Sequence, residues 1–234
     1  MEALKPYFCG LTGNQLKIVA LVAMTCDHVG KMLFPRVMIL QIIGRLAFPI
    51  FAYMIAEGCV YTKSKKKYIL TMAGIAALCQ AVNFIALGSY FQCVLVTFTL
   101  SIGLIYLARY AQKKKSVLSF TYCVIAFLIV VFVSETLPFI LQGTDYAIDY
   151  GTIGILMPLG IYLGRNKWEK LAVMSALLVL LSTKIGGLQW YGLLAPLIVV
   201  LYNGQRGKMK MKYLFYIYYP LHLVGIYLIG LVVF

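Results

Sequence analysis

Acidic residues are scarce in this chain. Seven aspartates and glutamates stand against 21 lysines and arginines, and only 12% of the 234 residues are charged. A soluble domain of this length carries about 25% charge. Histidine is scarcer still, with His28 and His222 alone. The six cysteines, at positions 9, 26, 59, 79, 93 and 123, stand singly without a C-x-x-C pair. That spacing argues against a disulfide framework and against a metal site. No Walker motif, dinucleotide fingerprint or H-E-x-x-H occurs. The start does not read as a cleaved signal peptide, because its apolar run is long and holds Asp27-His28 without a small-x-small site.

What is present is apolar: 62% hydrophobic residues and a mean hydropathy of +0.90. Such a chain has lipid as its solvent, at roughly 20 apolar residues per span. The sequence therefore predicts an all-α, polytopic transmembrane helix bundle of about nine spans in a single integral membrane domain, 1–234. Helices are predicted over 16–34, 40–60, 68–87, 91–110, 116–137, 150–163, 171–183, 190–202 and 213–234, the first opened by Thr12-Gly13-Asn14. The segment 150–163 is short and holds Pro158 and three glycines, so it is a candidate broken or re-entrant element. The net charge of +14 lies in clusters between apolar runs, which points to membrane topology and not to nucleic acid. Seventeen of the 21 basic residues, Lys5 among them, fall on one side, and Lys31, Arg36 and Lys184 on the other. That places the N-terminus in the cytoplasm and the C-terminus outside, in a multi-pass protein of the inner or plasma membrane.

Against this background the ionisable residues inside apolar segments stand out, each costing about 2.5–3.5 kcal/mol at mid-helix. Asp27 and Arg45 lie roughly 10 Å and 8 Å from the same membrane face on hairpin-linked helices. They are expected to pair, either fastening the hairpin or serving a reaction. His28 and His222 fall at similar depth and suit a general base. Glu57 lies about 18 Å beyond Arg45, too far to pair with it. Glu135 is expected at the interface, and Tyr213, Tyr216, Tyr218 and Tyr219 in an aromatic belt. The basic, glycine-rich run Asn203-Gly204-Gln205-Arg206-Gly207-Lys208 either obeys the positive-inside rule or holds phosphates of a soluble donor.

At these residues the chain resembles the TraX family. The resemblance is carried by Leu16-Lys17-Ile18 through Cys26-Asp27-His28-Val29-Gly30 and by Gly44-Arg45-Leu46-Ala47-Phe48-Pro49, running on to Glu57-Gly58. It resumes at Asp149-Tyr150-Gly151, at Tyr202-Asn203-Gly204 and at Tyr218-Tyr219-Pro220-Leu221-His222-Leu223. The family is named for a conjugation protein that N-acetylates F-type pilin, and it is similar to a wider group of transmembrane acyltransferases. The resemblance implies an acetyltransferase using cytosolic acetyl-CoA as co-substrate; it does not imply pilin as the acceptor, and a pilin-like peptide and a sugar both stand open. It implies His28 as base or transient acyl acceptor, oriented or balanced by Asp27, with Arg45 holding Asp27 or the thioester carbonyl. His222 and Tyr219 would line the same tunnel, with Asn203, Arg206 and Lys208 at the cytoplasmic mouth and Glu57 near that end. The rival reading is a small proton-coupled transporter using the buried Asp, His, Arg and Glu as a relay. The internal repeat expected of such a carrier is absent from the sequence. The third reading is a membrane scaffold.

Overall fold

The computed structural model describes residues 10–208 and 212–233, with the side chains of 212–216 and 233 also outside the description. Lys5, Cys9, and the side chains of Tyr213 and Tyr216 therefore lie outside the described residues. Among the described residues thirteen helical elements join into nine segments, and there is no β-strand, only two isolated bridges. By position the chain divides into two compact units, Met1–Met54 with Gly187–Phe234, and Ile55–Gly186.

The first unit opens with α1, Gly13–Met32. Thr12 caps it in a reciprocal capping box with Gln15. The helix starts three residues earlier than predicted because the Gly13 and Asn14 amides donate to the Gln205 and Arg206 carbonyls. That satisfies two of the donors every helix start leaves bare. The sequence reads 40–60 as one helix, but the structure holds α2, Met38–Gly44, and α3, Ala47–Tyr61. Pro49 explains the break. It has no N–H, and its ring would strike the carbonyl four residues back, that of Arg45. Arg45 therefore sits in a turn between two helical pieces. The rest of this unit is a 3-10 segment Gly187–Leu194, α10 over Ala195–Val199, and α11 over Lys212–Val233. α1 packs against α2 and α11, and the 3-10 segment against α2.

The second unit holds α4 (Lys65–Leu87), α5 (Val94–Lys114), α6 (Val117–Val131), α7 (Leu137–Ile140), α8 (Gly151–Leu163) and α9 (Lys167–Ile185). Its basic clusters, predicted as loops, are partly helical. Ser64 caps α4, so Lys65, Lys66 and Lys67 form its first turn, and α5 ends on Lys113 and Lys114. α9 starts four residues earlier than predicted, where Asn166 and Glu169 exchange capping hydrogen bonds, and ends two residues later. Between α6 and α7 lies a π-helical turn, Phe132–Thr136. Pro138 follows it and has no N–H to donate to the Ser134 carbonyl, so the chain widens there. Leu104, Val130, Ile148 and Ile155 form a buried core in this unit.

Among the described residues, four helical stretches are long and apolar enough to cross a membrane: Met38–Tyr61 (α2 with α3), Lys65–Leu87, Val94–Lys114 and Val117–Ile140 (α6 through α7). Two of them, Lys65–Leu87 and Val117–Ile140, are only 17% buried. Leu70, Ile85, Val117 and Leu128 are among the exposed apolar side chains on them. In water so much apolar surface drives association, whereas lipid solvates it.

Candidate functional site

The first unit brings Asp27, His28, Arg45, Tyr219 and His222 into one neighbourhood, through the contacts of α1 with α2 and with α11. Glycine makes the first contact close. A Cβ on Gly44 would collide with the Asp27 side chain and Cα, and one on Gly30 would lie 2.9 Å from Leu40 Cβ. With both positions bare, the backbones of α1 and α2 approach as small residues allow in membrane helices.

The predicted Asp27–Arg45 pair forms, with Arg45 Nη2 donating to Asp27 Oδ1. Lys31, one turn on, takes the other oxygen at 2.6 Å. The carboxylate thus has a cation at each oxygen, and it is 11% exposed against 49% for the Lys31 side chain. The expectation that Asp27 orients His28 gives way to a different partner set. His28 Nδ1 lies 2.9 Å from the Met24 carbonyl and 3.3 Å from His222 Nε2. His222 repeats the arrangement, its Nδ1 lying 2.9 Å from the Tyr218 carbonyl.

These contacts assign the tautomers. A carbonyl only accepts, so in the neutral pair each Nδ1 carries the proton and each Nε2 is a bare nitrogen. His28 Nδ1–H is shared between the Met24 carbonyl and His222 Nε2. His28 Nε2 has no hydrogen-bond partner among the described residues. The two rings meet edge to face with centroids 5.0 Å apart.

Aromatic side chains hold His222 in place. Tyr218 stacks on it at 5.2 Å, with the rings 7° from parallel, and Tyr219 meets it edge-on at 5.6 Å. Thr25 donates to the Leu21 carbonyl, which leaves its oxygen to accept from the Tyr218 hydroxyl at 2.7 Å. The belt reading of Tyr218 and Tyr219 is thereby replaced by a packing role at the histidine pair. Thr25, Lys31 and Tyr218 were missed from the sequence. Helical spacing carried the signal, since Thr25 precedes His28 by three residues, Lys31 follows Asp27 by four, and Tyr218 precedes His222 by four.

The loop 203–208 lies at the start of α1, in the same unit. Asn203 donates to the Gly10 carbonyl and accepts from the Gln205 amide, so its side chain staples the loop. Arg206 and Lys208 are exposed. The loop therefore offers an anion side-chain charge. Asn14 and His28 lie on one helix, 14 residues and about 21 Å apart. Glu57 is not part of this cluster. It belongs to the second unit, where it is buried and accepts from Lys170 at 2.6 Å. Glu135 pairs with Lys184 and accepts from the Thr152 amide at the start of α8.

The family model described as "TraX protein" matches residues 12–230. An uncharacterised protein of Rickettsia prowazekii is 28% identical over 183 residues, covering 78% of this chain and 66% of that protein. A probable fimbrial assembly protein, FimC of serogroup H1 from Dichelobacter nodosus, is 25% identical and covers 89% of this chain and 91% of that protein. No solved structure matches the chain.

Proposed function

The chain belongs to the TraX family, and from that premise we propose that this membrane protein is an acetyltransferase, moving an acetyl group from cytosolic acetyl-CoA to an amine or hydroxyl. The observation that carries the reading is the histidine pair, with its bare Nε2 on His28 and its direct contact to His222. Acyl transfer needs a base beside the attacking atom. His28 Nε2 takes the acceptor's proton as the acceptor nitrogen or oxygen bonds to the acetyl carbon. It returns that proton to the coenzyme sulfur as the C–S bond breaks. While His28 is doubly protonated, its Nδ1 proton can pass to His222 Nε2, so the charge is spread over two rings. Tyr218, Tyr219 and Thr25 hold His222 to this task.

Asp27 and Arg45 act as positioning residues in this account, since they fasten α2 against α1 one residue from His28. Arg206 and Lys208 attract the coenzyme's phosphates, and the roughly 21 Å from that loop to His28 suits a long, flexible pantetheine arm. Glu57 supports the second unit through Lys170. The name of the Dichelobacter relative favours a pilin-like peptide as acceptor. In the same reading the nine helical segments span the membrane alternately, with the N-terminus cytoplasmic.

The test is calorimetric binding of acetyl-CoA and coenzyme A to purified protein and to a His28→Ala variant. The expected result is binding that survives the substitution and weakens with salt, together with loss of acetyl turnover. If neither ligand binds, the enzyme reading fails and transport assays take its place.

A further inference from the structure

Gln189 sits third in the 3-10 segment Gly187–Leu194 and is 2% exposed. Neither its Nε2 nor its Oε1 has a hydrogen-bond partner among the described residues. The segment packs against α2, in the compact unit that holds the histidine pair. A buried carboxamide with both ends bare is unfavourable, because it gives up its water contacts and receives nothing in return. Native folds rarely keep such a group without a use for it. A bridging water would need two to four polar partners. The other bare buried side chains among the described residues, Tyr106 and Ser182, belong to the second unit.

We propose that Gln189 is a ligand-binding residue whose partner is a secondary amide of the substrate. A carboxamide donates through Nε2 and accepts through Oε1. Its full complement is a group presenting C=O and N–H together, as a secondary amide does. The pantetheine arm of coenzyme A carries such groups, and so does the backbone of an acceptor peptide. The inference rests on the acetyltransferase reading for the identity of its ligands, but its first readout does not.

That readout is thermal unfolding of the ligand-free protein in detergent. Gln189→Met keeps the side-chain length and removes both polar atoms, and Gln189→Leu guards against an effect peculiar to the thioether. Both variants are expected to unfold at or above the wild-type temperature. A fall of several degrees in both would mean the amide is satisfied within the fold, and the proposal would be overturned. The second readout is calorimetry with coenzyme A and, separately, with a short pilin-like peptide. Affinity for one of them is expected to fall about 10- to 100-fold in Gln189→Met, which identifies the source of the amide. Wild-type affinity of the variant for both ligands overturns the proposal. Failure of the wild-type protein to bind either ligand defeats the acetyltransferase reading, and the unfolding comparison still decides whether Gln189 awaits a partner.

Discussion

Asp27 carries two charge contacts in the site, to Arg45 and Lys31. Asp27→Asn leaves the Arg45 guanidinium, whose side chain is 14% exposed, without its counterion. The expected cost is about 3–5 kcal/mol, read as a lower thermal midpoint. Replacing both partners by apolar residues, Asp27→Leu with Arg45→Met, should recover most of that loss, because no uncompensated charge remains. If turnover follows stability in this series, the pair is a positioning device. Turnover that stays lost in the stable double variant would assign the pair to the chemistry itself. The pairing was legible from depth along two hairpin-linked helices. The orientation of His28 was not, because the carbonyl one turn back and His222 compete with Asp27 for its Nδ1, and that competition is decided by rotamers.

At the scale of elements, glycine decides how closely α1 and α2 meet. Gly44→Ala would place a methyl group against Asp27, so it should lower both stability and turnover. Gly74, inside α4, has nothing within 4 Å of a built Cβ. Gly74→Ala should be neutral or stabilise by about 0.4–1 kcal/mol through the unfolded chain. Equal effects of the two substitutions on the thermal midpoint would contradict the packing argument. A second prediction concerns the loop before α8. The Ser89 hydroxyl and the Tyr90 amide donate to Asp145 and hold its carboxyl below the usual carboxylate range. The unfolded chain takes up that proton at the ordinary value, so this contribution is present above it and is lost as pH falls through the lowered one. Ser89→Ala should therefore flatten the fall in thermal midpoint between about pH 5 and about pH 2. Most helices were legible, since apolar length alone marks these segments, but the stretch read as a helix over 190–202 is a 3-10 segment, Gly187–Leu194, followed by the short α10. The break at Arg45 and the π turn before Pro138 were not read, although both prolines were visible, because each acts on a carbonyl four residues upstream.

At the scale of the molecule, charge is the organising pattern. Within the second unit, Lys65 lies over the Tyr106 ring and Lys170 pairs with Glu57, while Lys184 pairs with Glu135 beside the start of α8. Three lysines occupy the first turn of α4, where the helix dipole disfavours cations. A membrane-side preference is the force that would hold them there. Single cysteines placed at Lys66 and at Thr144, in a background without native cysteines, are expected to label from opposite sides of sealed vesicles. Labelling of both from one side would contradict the alternating topology. The charge pattern was fully legible in the sequence, whereas Lys170 as the partner of Glu57 was not, since the two lie 113 residues apart. The most direct test of the account is acetyl transfer from labelled acetyl-CoA in proteoliposomes, measured for wild type, His28→Ala, His222→Ala and the double variant. The account predicts that each single substitution lowers turnover about 100-fold or more and that the double variant is no worse, because the two imidazoles act as one unit. Turnover that survives loss of either histidine, or losses that simply multiply, would contradict it.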